Sequence, residues 1–123
     1  MPSKVKADYA EGLKDMENGC FKSACVMFRR ALQNAALKLG TNKKDKLQDQ
    51  IDDLENRKII TSDLKEWAHE IRMVGNDGAH PFEDQFDEIG KEDALEIRDF
   101  LAGFVDYVFV MKKKFEERKK RKS

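Results

Sequence analysis

Only two prolines, two cysteines and seven glycines occur in 123 residues. Turn and breaker residues are too few for a β-rich chain or for low-complexity disorder. No apolar run approaches the roughly 18–20 residues that cross a bilayer. The first residues, Met1 to Asp8, are polar where a signal peptide would be apolar. The chain therefore reads as cytoplasmic, with no membrane partner. Phosphate-binding glycine loops, HExxH and nucleophile elbows are missing, and Gly12 and Gly19 stand alone. The length suits one ordinary domain rather than two.

Cysteine chemistry is as sparse. Cys20 and Cys25, five positions apart, would point about 140° apart on a shared helix and could not bridge each other. They read as small buried hydrophobes in a reducing compartment. His69 and His80 are the only histidines and lie eleven apart, which matches no metal-ligand spacing. No metal and no cofactor is expected.

Net charge is also absent, with 24 Lys and Arg against 24 Asp and Glu, but the charges are segregated. Residues 112–123 read KKKFEERKKRKS, eight cations against two carboxylates (+6), and the other 111 residues hold 16 against 22 (−6). The chain divides into a bundle domain, 1–111, and a basic helix end or tail, 112–123. Such a block is either a solvated helix end or a contact for a polyanion, through Lys112, Lys113, Lys114, Arg118 and Lys119.

What the chain does contain is helical periodicity nearly throughout. Val5, Tyr9, Leu13 and Met16 predict a helix from about Ser3 to Glu17, stopped by Asn18-Gly19. Phe21, Ala24, Cys25, Phe28, Leu32, Ala35, Ala36 and Leu39 predict a central core helix ending at Gly40. Leu47, Ile51 and Leu54 mark a shorter third helix. Thr61-Ser62-Asp63 supplies cap chemistry for a fourth, with Leu64, Trp67, Ala68, Ile71 and Val74 inward. Gly75–Gly90 reads as a long loop, and a last helix from Lys91 or Glu92 carries apolar residues from Leu95 to Phe115. No stretch alternates as a strand does, and no repeat is visible. The predicted fold is all-α, a single bundle of four to five helices.

One segment, His69 to His80, groups residues suited to phosphate chemistry. On a helix His69, Arg72 and Asn76 fall within about 60° of one another, beside the apolar face. A guanidinium offers bidentate donors to phosphate oxygens, and an imidazole can move protons near neutrality. Gly75 and Gly78 lack side chains that would hold a ligand away from the backbone. The competing reading is structural, with Asn76 and His80 capping the helix and Arg72 paired to a carboxylate.

Two patterns add to this. Phe28-Arg29-Arg30-Ala31-Leu32 on the second helix, with Gln33 next, is followed by Ile71-Arg72-x-x-Gly75-Asn76-x-x-Ala79-His80. Together they resemble a group of prokaryotic domains of unknown function within the HEPN superfamily. Those domains carry an RRALE helix and an R-x-x-G-N-x-x-A-H signature. The similarity covers roughly residues 20–110, and Gln33 stands where the signature has Glu. It implies a HEPN-like helical bundle that forms homodimers and works in restriction, toxin–antitoxin or other RNA-targeting defence systems. Many HEPN proteins are metal-independent ribonucleases whose motif is an Arg followed a few residues later by a His. Here seven residues separate Arg72 from His80, a longer interval than in the well-studied nucleases.

The expectation is thus a domain that binds or cleaves RNA. In cleavage, the 2′-hydroxyl attacks the adjacent phosphate in line; His80 would move a proton, Arg72 would stabilise charge and Asn76 would orient. A two-fold dimer would bring a second His80. Arg29, Arg30, His69 and the basic block would hold the nucleic acid. The alternatives are a non-catalytic nucleic-acid or nucleotide binder and a helical module that docks a neighbour-encoded protein.

Overall fold

The computed structural model describes residues 1–77 and 90–122, and the side chains of all of these except 74–77. The described chain is all helix and loop: α1 (Ser3–Glu17), α2 (Phe21–Lys38), α3 (Leu47–Asn56), α4 (Ser62–Asp77) and α5 (Lys91–Val105). A π-helical segment (Asp106–Met111) then runs directly into α6 (Lys112–Lys122). Val105, Asp106 and Lys112 all keep right-handed helical angles, so α5, the π segment and α6 form one continuous rod. With that rod counted once, the described residues form five helices, within the four- to five-helix bundle expected.

Local chemistry sets the boundaries. Gly19 (φ +72°) and Gly40 (φ +95°) take left-handed angles after α1 and α2. The Cys20 and Thr41 N–H groups then close back onto Asp15 O and Ala36 O. The hydroxyl of Thr61 accepts the Leu64 N–H at 3.1 Å and so caps α4. At α5 the Asp93 carboxylate accepts the Gly90 N–H at 3.1 Å.

α2 is the hub, packing against α1, α3, α4 and α5. Its Ala24, Phe28, Ala31, Ala35 and Ala36 are fully buried, and the alanines let neighbouring helices approach closely. Ile51, Leu54, Ala68, Ile97, Phe100 and Phe104 complete one continuous core.

Several expectations are corrected. α4 does not stop at Gly75 but continues to Asp77. An isolated glycine inside a helix costs only about 1 kcal/mol relative to alanine, too little to end it. Residues 78–89 of the expected loop lie outside the described residues, as does the side chain of Val74. Cys20 is not buried; it occupies the position before α2 and is exposed, whereas Cys25 is buried. Trp67 is 43% exposed, with one face against Phe100 at a ring-centroid distance of 4.9 Å. Phe115 is 57% exposed, because it lies on α6, all of whose residues stand in solvent beyond Val108, the last buried residue of the rod.

Candidate functional site

α4 is tied to α3 by two polar links a turn apart. The Lys65 ammonium lies 3.9 Å from Glu55, and His69 Nε2 lies 2.8 Å from Asp52 Oδ1. One turn further along the same face, Arg72 Nε donates to His69 Nδ1 at 3.1 Å. A guanidinium nitrogen can only donate, so Nδ1 is the acceptor and the ring proton sits on Nε2, donated to Asp52. The result is a chain of contacts, Asp52–His69–Arg72, in which the carboxylate fixes the tautomer and the imidazole fixes the guanidinium.

α4 also packs against α2. Arg29 there has its pKa lowered, first by burial and then by the positive charge of Arg72. Arg29 and Arg72 are both half-buried where α2, α3 and α4 meet, and the positive charge of Arg72 acts on Arg29. Guanidinium groups in such a setting can offer several donors at once to an anion.

The sequence-derived candidates separate. Arg72, His69 and Arg29 are brought together. Arg30, next to Arg29, points away to α1, with its Nε 3.7 Å from Asp8, and Asp8 also accepts the Asn34 amide at 2.6 Å. Asn76 lies one turn beyond Arg72 on α4, but its side chain is outside the described residues, and so is all of His80. Lys112, Lys113, Lys114, Arg118 and Lys119 lie on α6, all exposed and none of them among the Asp52–His69–Arg72 contacts. Among the described residues the hydrogen-bond partner of Arg72 is the His69 imidazole, where the structural reading supposed a carboxylate.

Asp52 is the site residue that the sequence did not single out. Its position just after Ile51 on a helix of known stripe was readable, but the pairing of α3 with α4 was not. Among the described residues no group of three or more His, Cys, Asp or Glu side chains could hold a metal ion. No described helix is long and apolar enough to cross a membrane.

Comparison with curated proteins and with solved structures gave no match. One family model, described as Domain of unknown function (DUF4145), matches residues 11–121, from the second half of α1 to the end of α6. The chain belongs to that family, and the match takes in the whole Asp52–His69–Arg72 arrangement together with Arg29.

Proposed function

We propose that this is a HEPN-like RNA-binding domain that holds a backbone phosphate between Arg29 and Arg72, with Asp52 and His69 positioning Arg72. The observation that carries the reading is the pair of neighbouring guanidiniums, one of them oriented by a histidine that is itself oriented by a carboxylate. The signature resemblance supports it independently, since Arg72, Asn76 and His80 fall at the signature's positions.

Both ring nitrogens of His69 are engaged, so its part is positioning rather than proton transfer. In this reading any cleavage chemistry falls to His80. The 2′-hydroxyl would lose its proton to one base while the leaving oxygen gains one from an acid, and Arg72 would offset the charge gathering on the phosphorus oxygens.

The test compares wild type with Arg72→Ala and His80→Ala on single-stranded RNA in the presence of chelator. Losing a hydrogen bond to a charged group costs about 1.5–3 kcal/mol. Arg72→Ala is therefore expected to weaken RNA binding by roughly ten- to a hundredfold while melting near wild type. If cleavage occurs, His80→Ala lowers it by about 10²–10⁴-fold. RNA handling identical to wild type in both variants would end this reading.

A second reading, a protein-docking helical module, is favoured by a different observation. Trp67, Met73, Met111 and Phe115 are all exposed, more large apolar surface than RNA contact requires.

A further inference from the structure

α6 carries the rod of α5 and the π segment out beyond the bundle, and every residue of it is exposed. Lys114 with Arg118, and Arg118 with Lys122, are like-charge pairs at i, i+4, while Glu116 with Lys120 and Glu117 with Arg121 are opposite-charge pairs that support the helix. One cation–π contact sets Lys119 Nζ 4.7 Å from the Phe115 ring centre. Met111 and Phe115, a turn apart on one face, are 54% and 57% exposed. Arg118, Lys119 and Lys122 border them on the same side. The helix therefore presents an apolar centre with a basic rim.

The opposite pattern lies where α4 packs on α5. Trp67 leans on Phe100 across the two helices, leaving part of its ring in solvent. Helical spacing sets Glu70 on the α5 side of α4, with Glu66 and Met73 next to it, and sets Glu92 and Glu96 on the facing flank of α5. All of these are exposed. Of the basic groups on the same helices, Lys65 is turned to Glu55, Arg72 to His69 and Arg98 to Asp99, and helical spacing sets Lys91 on the side of α5 that carries Arg98. This face is an apolar centre with an acidic rim.

We propose that α6 of one copy docks on the α4–α5 face of a second copy, and reciprocally, so that a two-fold dimer contains two such contacts. The chain's own α6 cannot reach its own face, because the unbroken rod of α5, π segment and α6 carries it away from the start of α5. Matched apolar centres distinguish this occupant from nucleic acid, whose phosphates would satisfy the basic rim but leave Met111 and Phe115 without an apolar partner. In such a dimer Glu66, Glu70, Glu92 and Glu96 of one copy would face Arg118, Lys119 and Lys122 of the other. No residue of these two surfaces belongs to the Arg29–Arg72 site, so the two proposals stand or fall separately.

The 123-residue chain is tested by sedimentation velocity at low salt and at roughly 0.5 M salt, where charge contacts beyond a few ångströms are screened. A dimer is expected at low salt, with its dissociation constant raised at least tenfold at high salt. Arg118→Glu/Lys122→Glu and Glu70→Lys/Glu96→Lys should each be monomeric, with wild-type circular dichroism because all four positions are exposed. Mixing these two variants restores both contacts and should restore the dimer. A wild-type monomer at low salt overturns the proposal, as does a dimer that survives in both variants. So does loss of RNA affinity in the Arg118→Glu/Lys122→Glu variant without change of oligomeric state, which would give α6 to nucleic acid.

Discussion

At Gly12 a single hydrogen atom decides how closely α1 approaches α2. A Cβ added there would collide with the Phe28 ring, lying 2.7 Å from Cδ1 and nearer still to Cε1. Phe28 is fully buried and also packs on Tyr9, with ring centres 5.6 Å apart, so it has no free side to yield. Gly12→Ala gains about 0.8–1 kcal/mol of helix propensity, and overpacking costs about 1–3. A net loss of up to about 2 kcal/mol is expected, read as a lowered thermal midpoint.

The two thiols make a second contrast at the same scale. Burial, and then the charge of Asp93, raises the Cys25 pKa to about 11. One rapid alkylation per native chain, at exposed Cys20, is expected at mildly alkaline pH, and two after denaturation. The unfolded thiol ionises near pH 8.5. Folding therefore loses stability as pH rises from there towards 11, and Cys25→Ala should lose less over that window than wild type.

Among the elements, helix ends show where residue type and backbone demand part company. α1 and α2 stop on glycines, but α3 stops on Lys58, held at φ +61°. The turn is otherwise of the same kind, with the Ile59 N–H closing onto Leu54 O at 2.8 Å. A side chain in the left-handed region costs about 1–2 kcal/mol, partly offset by the lower entropy of its unfolded chain. Lys58→Gly should stabilise the protein by up to about 1 kcal/mol. The check is a raised urea midpoint with an unchanged denaturant slope.

Over the whole molecule, the arrangement of charge is the functional statement. Three helices, α2, α3 and α4, converge where the pKa of Arg29 is lowered by burial and then by the charge of Arg72, and a phosphate is the ligand proposed for that place. If Arg72 contacts a backbone phosphate, its removal should lower the log–log salt slope of single-stranded RNA binding by about 0.7. Affinities of wild type and Arg72→Ala from about 50 to about 200 mM salt give that slope directly. An unchanged slope would place Arg72 outside the RNA contact even if affinity fell.

Spacing and stop signals in the sequence determined the helices of this protein. The stripes from Val5 to Met16 and from Phe21 to Leu39, with Gly19 and Gly40 after them, locate α1 and α2 because periodicity and left-handed stops are local properties. The same local logic grouped His69 with Arg72 one turn apart. Tertiary structure decided everything that depends on which helices meet. It set Asp52 of α3 against His69 and Arg29 of α2 against Arg72, while Arg30 went to Asp8 of α1. It also carried α4 past Gly75, left Trp67 half outside, and turned Phe115 into solvent beyond the π segment. Pairing between helices follows from packing around α2, and residue spacing along one helix carries no record of its neighbour.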